Sequence, residues 1–211
     1  AHLAQHLALT GHRVLAIDLD PQASLSALHG IQPELDEFPS LYEAVRYDEQ
    51  RKSIREIIRK TNFPGLDIIP AMLELQEYEY DTPLAMQNGG EGKTFWNRIA
   101  VALAEVDADY DVVVIDCPPQ LGYLTLTALS AATSVLITVH PQMPDLMSMS
   151  QFLLMLGDIL KQVRQAGGAV QLDWFRYPIT RYEPTEVPPA QRVGVMQSML
   201  ASHMLKHQTL K

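Results

Sequence analysis

Two apolar runs, each ending in an acid and then a proline, constrain this chain more than any other feature. The first is "RVLAIDLDPQ" (13–22) and the second "YDVVVIDCPPQLG" (110–122). From Val14 to Leu19, and from Val112 to Ile115, apolar side chains run almost without a break. A strand with one face in water alternates apolar and polar residues, whereas an unbroken run needs cover on both faces. Both segments therefore predict strands of a parallel sheet lying between layers of helices. Pro21 and Pro118 end them, since proline has no N–H to offer a ladder.

The remainder fits that plan. "AHLAQHLALTGH" (1–12) reads as a helix with Ala1, Ala4, Leu7 and Ala8 on one side and Gly11 as its stop. "ASLSALHG" (23–30) is a short helix closed by Gly30, residues 34–62 read as mostly helical, and "LDIIP" (66–70) as a short buried strand. Residues 71–94 read as irregular or helical surface, followed by a helix over 95–106. After the second acidic strand come a helix (125–132), a strand (134–141), an amphipathic helix (147–167) and a strand (170–180). A Pro-rich loop (181–189) and a last helix (191–205) complete the pattern. Strands alternating with helices define an α/β fold, a doubly wound and mainly parallel sheet. A single domain over 1–211 is expected, with no linker or repeat.

Composition narrows the functional classes. The chain has 211 residues, 47% of them hydrophobic, and no apolar run approaches the roughly 18 residues of a membrane span. One cysteine, Cys117, excludes an internal disulfide and suits a reducing cytoplasm. A net charge of −9 argues against broad nonspecific nucleic-acid binding by the segment as a whole.

Open parallel sheets bind ligands beyond the C-terminal ends of their strands. The two acidic strands place Asp18, Asp20 and Asp116 there, and later strands place His140 and the Thr180-Arg181 pair. An Asp after four apolar residues is what a Walker B strand uses to orient magnesium, often through water. Asp20, at the tip of the companion strand, could bind the magnesium shell or position an attacking water. Either Asp could instead cap a turn, but two such strands, each followed by Pro, make that blander reading harder to sustain.

"RVLAIDLDPQASLS" and "YDVVVIDCPPQLGYLTLTAL" resemble the second and third motifs of the ParA-type partition ATPases, most closely the RepA branch of plasmid systems. "LDIIPAMLEL" and "ITRYEPTE" fall in the family's order, so the resemblance spans essentially the whole chain. It implies a deviant-Walker P-loop ATPase that dimerises around ATP and magnesium. It further implies nonspecific binding of nucleoid DNA and a ParB/RepB-like centromere-binding partner. Residue by residue, it implies the magnesium and water-positioning role for Asp20, the Walker B role for Asp116, and a less defined nucleotide role for Asp18. Pro118 and Pro119 would shape the loop that senses the γ-phosphate, and Thr180 and Arg181 would border the adenine pocket. The family's phosphate loop precedes the helix that here begins at residue 1. It is therefore expected upstream, and residues 1–211 alone are expected to bind ATP poorly and to expose an edge where the central strand would lie. The last C-terminal elements are likewise expected beyond the chain.

"NGGEGKTFW" (88–96) imitates a phosphate loop. Gln87 stands where the usual spacing needs Gly, Asn88 where the deviant form needs Lys, and the acidic stretch before it does not read as a strand. A Gly-rich turn opening a helix is the expectation. His2 and His6 lack the Glu of a zinc-protease helix, and the basic run Arg51–Lys60 reads as a solvated face. The Met-rich stretch 143–155 reads as core packing, and Cys117 as no nucleophile. Two alternatives stay open: a dinucleotide-binding oxidoreductase using Asp18 or Asp20 on a ribose, and a non-catalytic interaction module that keeps the fold.

Overall fold

A computed structural model describes residues 1–32, 38–140, 143–165, 167–168, 170–181, 193–194, 196–198 and 200–205. The chain divides into two compact units, Ala1–Ala131 and Ala132–Lys211.

In the first unit, α1 (His2–Leu9) leads through Gly11 to β1 (Val14–Asp18) and then α2 (Ser24–Leu28). Two short helices follow, α3 (Leu41–Val45) and α4 (Ile54–Ile57), then β2 (Arg59–Lys60) and β3 (Leu66–Ile69). A 3₁₀ turn (Leu73–Gln76) opens α5 (Glu77–Asn88). A second 3₁₀ segment (Gly90–Asn97) opens α6 (Arg98–Ala104). β4 (Val112–Asp116) and α7 (Tyr123–Ala131) complete the unit. The strands form one sheet in the order β2-β3-β1-β4, parallel except for the antiparallel β2.

β1 lies between β3 and β4, and its position explains its sequence. Leu15 and Ile17 face a core built with Leu41, Ile54, Ile57, Ile99 and Leu124, while Val14 and Ala16 face a second core with Ala4, Ala8, Leu25 and Ile68. All five β1 residues are buried, so period-two alternation divides one apolar run between two apolar faces. This is the doubly wound α/β architecture expected from the sequence. β4 pairs with β1 and with no other described strand, and Val113 is 38% exposed. β4, expected from its unbroken apolar run to be covered on both faces, is only partly buried.

The second unit holds β5 (Ser134–Leu136), α8 (Met143–Gln165) and β6 (Trp174–Arg176). β5 and β6 pair in parallel, and an isolated bridge continues the pairing at Val139 and Ile179. Val139, Tyr177, Ile179, Val193, Met196 and Leu200 form its core. The side chains of Met143–Ser150, which carry most of the Met-rich stretch, lie outside the described residues, as does the Pro-rich loop 182–190. Among the described residues, no helix is long and apolar enough to cross a membrane.

Residues 34–62 correct the sequence reading. Among the described residues 38–62, two helices of five and four residues form; 33–37 lie outside the described set. Each begins at a capping box, Ser40 with Glu43 and Ser53 with Glu56. Such boxes satisfy orphan N–H groups at a helix start but do not extend a helix; the extended Arg46 and Ile58 that follow turn the chain away. The basic run in this segment is largely neutralised or occupied. Arg51 pairs with Glu91, Arg55 with Asp109 and Lys60 with Asp67, while Arg59 lies 4.4 Å from the Phe38 ring centroid.

Candidate functional site

The two acidic strands end level with each other. In the β1–β4 register the Cα of Asp18 lies opposite that of Asp116, and the Leu19 N–H donates to the Asp116 carbonyl at 2.9 Å. Asp18, Asp20, Asp116, Pro118 and Pro119 therefore share one rim of the sheet, at the C-terminal ends of adjacent parallel strands. That rim is where a doubly wound sheet offers a ligand crevice.

The three acids sit in different environments. Asp18 is fully buried, and its carboxylate accepts the Ser26 N–H at 2.8 Å, the Ser26 hydroxyl at 2.7 Å and the Asp20 N–H at 3.3 Å. Its pKa lies above the ordinary Asp range. Burial is the main cause, opposed by the Ser26 and Asp20 bonds and reinforced by the charge of Asp116. These contacts have a local origin. The residue preceding α2 is Ala23, which has no side chain to cap a helix. Asp18 supplies the missing acceptor from the end of β1 and takes the N–H of the third helical residue. Ser26 in turn accepts the Ala71 N–H at 3.1 Å through its hydroxyl oxygen, which ties the loop after β1 to the loop after β3.

Asp20 is half-buried, and one carboxylate oxygen accepts the Gln22 N–H at 3.0 Å. Its carbonyl accepts the Ala23 N–H at 2.8 Å, closing a tight turn that holds Ala23 at φ 53° and ψ 33°. Asp116 is exposed and makes no side-chain hydrogen bond or ion pair among the described residues. Pro118 is buried and Pro119 exposed, so the loop after β4 is anchored on one ring and presents the other. Cys117 is exposed as a residue, yet desolvation of its thiol and the adjacent Asp116 charge push it up to about 12, which leaves no thiolate for nucleophilic chemistry.

Two oxygen-donor side chains at an accessible rim suit magnesium, which keeps several waters and takes one or two carboxylates plus phosphate oxygens. Among the described residues, no group of three or more His, Cys, Asp or Glu side chains gathers around a metal position.

Thr180 and Arg181 belong to the second unit, at the C-terminal end of its own parallel strand pair. The Thr180 N–H donates to the Val139 carbonyl at 2.9 Å, and its hydroxyl hydrogen-bonds His140 Nδ1 at 2.8 Å. Arg181 is exposed and adopts φ 54°, a left-handed conformation.

The "NGGEGKT" segment is not a phosphate loop. A helix, α5, precedes it where a phosphate loop follows a strand. Gly89 ends that helix at φ 82°, and Gly92 lies so close to the Ala85 backbone that a Cβ would collide with it. Glu91 receives Arg51 and Arg98, and Arg98 also donates to the Val45 and Arg46 carbonyls while lying 4.6 Å from the Tyr47 ring centroid. The expected Gly-rich opening of a helix is what forms.

Two residues of the rim escape a motif reading. Ser26 carries a signal in hindsight, a hydroxyl at the third position of a helix whose cap is alanine. Glu79 carries none. It lies in α5, 44 residues before the helix start where its carboxylate accepts the Tyr123 N–H at 2.9 Å and, 45 residues on, the Leu124 N–H at 3.0 Å.

Comparison with known proteins agrees with this geometry. The model of a family described as AAA domain matches residues 1–166. A protein of Sinorhizobium fredii (strain NBRC 101917 / NGR234) named as a replication protein A is 72% identical over 213 residues, covering 100% of this chain and 52% of the relative. Protein SopA of Escherichia coli (strain K12) is 36% identical over 170 residues, covering 79% of this chain and 43% of SopA. Among solved structures, cobyrinic acid a,c-diamide synthase from Mycobacterium smegmatis with bound ATP analog and magnesium superposes with a TM-score of 0.77 at 26% identity, covering 95% of this chain and 75% of that one. The chain spans about half the length of the curated replication proteins it matches. It belongs to the AAA-domain family of ParA- and RepA-type partition proteins, with their P-loop NTPase fold.

Proposed function

We propose that residues 1–211 form most of the ATPase domain of a plasmid or chromosome partition protein. In this reading magnesium-dependent ATP hydrolysis drives a dimer–monomer switch that segregates DNA. The observation that carries it is the level pairing of Asp18 with Asp116, which puts two acidic strand ends on one rim. "NGGEGKT" has no part in this reading, since it follows a helix rather than a strand.

Asp116, at the exposed end of β4, would hold the water shell of a bound magnesium, and Asp20, in the turn after β1, would orient the attacking water. Magnesium, when bound, would supply neutralisation of the charge that develops on the phosphate oxygens. Asp18 touches neither, because its carboxylate is fully buried on Ser26 and the Asp20 N–H; it holds the Asp20 turn in place. Pro118 and Pro119 restrict the loop that follows Asp116, so a contact with phosphate is felt along it. The protein acts as an ATP-bound homodimer with a ParB/RepB-like centromere-binding partner, and on nucleoid DNA in the cytoplasm. An oxidoreductase reading leaves the second acidic strand without a task.

Calorimetry of ATP binding by the full-length protein, with and without magnesium, tests this. Wild type binds with magnesium, and Asp116→Ala loses most of the magnesium dependence while keeping its fold. Unchanged magnesium dependence in that variant would remove the Walker B assignment and the reading built on it.

A further inference from the structure

The strand–helix joint after β4 is held by a residue from a different helix. α7 begins at Tyr123, six residues after Cys117, and its first two N–H groups both donate to the Glu79 carboxylate, at 2.9 and 3.0 Å. A helix start presents unpaired N–H groups and a partial positive charge, so an ionised carboxylate there is held strongly. Gly122 is shaped by the same contact, because a Cβ at that position would collide with the Glu79 carboxylate. The same end is fastened further: the Thr125 hydroxyl donates to the Gln120 carbonyl at 2.6 Å, and Tyr123 meets Phe95 edge to face with ring centroids 5.1 Å apart. The short segment from Cys117 to Gly122 is thus fixed at Asp116 by the β4 ladder and at Tyr123 by Glu79.

We propose that Glu79 is a positioning residue for the reaction at the acidic rim. By capping α7 it sets the path of the 117–122 loop and thereby the direction in which Asp116 and Pro119 face a bound magnesium–nucleotide. The catalytic half of this inference rests on the ATPase reading above; the positioning half does not. Glu79 sits in the first turn of α5, whose far end runs into the Gly89–Asn97 segment. A shift of α5 is therefore transmitted to the rim through the Glu79 contact as well as through the apolar core that Tyr78 and Leu124 share.

Hydrogen exchange on the full-length protein supplies the first test. In Glu79→Ala, peptides covering 117–124 exchange about tenfold faster, as expected for the loss of charge-assisted bonds at a helix start. Peptides covering 14–18 keep their wild-type protection. Glu79→Gln, which keeps one acceptor oxygen, recovers part of the protection. The second test is the magnesium concentration for half-maximal ATP turnover, which rises about tenfold in Glu79→Ala and less in Glu79→Gln. Ser53→Ala, which removes a capping box on α4, controls for a general loss of stability and leaves the magnesium profile unchanged. Unaltered exchange at 117–124 in Glu79→Ala overturns the proposal whatever the turnover. Faster exchange with an unaltered magnesium profile overturns its catalytic half. A wild type without magnesium-dependent turnover overturns the ATPase reading and that half with it, while the exchange result alone then decides whether Glu79 positions the loop.

Discussion

Replacing Asp18 by Ala should destabilise the first unit by about 2–3 kcal/mol, and the structure says where each part arises. The carboxylate caps α2 by accepting the Ser26 N–H, and loss of a cap costs about 1 kcal/mol. It also accepts the Ser26 hydroxyl at 2.7 Å, a bond to a charged group worth about 1.5–3 kcal/mol. The longer bond from the Asp20 N–H adds less than about 1 kcal/mol. Relief from holding a buried acid offsets about 1 kcal/mol of this. For a chain of this length the loss corresponds to a melting temperature lower by about 5–10 °C. The assay is urea unfolding, read as a lower midpoint with unchanged slope, alongside Ser26→Ala and the double variant. Because the two residues share one network, the double variant should fall short of additivity by about 1 kcal/mol or more. Burial raises the Asp18 pKa in the folded state, so the folded protein holds that proton more tightly than the unfolded chain. The contribution of this group is full below the ordinary Asp value near 4 and is lost as pH rises through the raised value. The stability difference between wild type and Asp18→Ala should therefore narrow as pH rises from about 4, whatever the other carboxylates contribute to both. A loss below about 0.5 kcal/mol, or strict additivity with Ser26→Ala, would refute the argument that Asp18 is a remote cap.

Ala23→Gly should stabilise the protein by about 0.5–1 kcal/mol, since a left-handed conformation costs alanine about 1–2 kcal/mol and glycine's larger unfolded freedom returns part of it; thermal unfolding measures it. Arg98→Ala should cost about 2–3 kcal/mol, because the buried guanidinium serves the Val45 and Arg46 carbonyls and covers the Tyr47 ring, while its partner Glu91, 57% exposed, can turn to water; urea unfolding of the variant checks this. Lys93→Ala should leave both stability and magnesium–ATP affinity of the full-length protein unchanged, as the segment after α5 opens a helix; calorimetry showing lost binding would restore that segment as a phosphate loop.

The strand–helix alternation was legible because burial on two faces writes itself into consecutive residues. Val14–Ile17 forms the fully buried strand that its run predicts, whereas Val112–Ile115, with the same pattern, is only partly buried and exposes Val113; the glycines at 11 and 30 marked the ends of helices, and both take positive φ. Family likeness was legible for the same reason: the Asp-Pro motifs are local in sequence. The segment 34–62 was misjudged because charged residues with helical propensity look alike whether a helix runs on or stops after one turn. No Gly or Pro in the text marks where α3 and α4 stop; each ends where Arg46 or Ile58 turns extended, just after Val45 and Ile57 enter the core.

The sequence by itself determined that two apolar strands each end in an acid, and that "NGGEGKT" lacks the residues of a phosphate loop; it did not tell the buried β1 from the partly exposed β4. Only the tertiary structure decided what each acid does. Asp18 and Asp20 are two residues apart and chemically identical, yet one is fully buried on Ser26 and the other stands half-open beside Asp116. Glu79 reads as one more surface acid until α7 comes to rest above it. A carboxylate's role depends on how much water and how many donors surround it, and those are set by residues tens of positions away that only folding brings near.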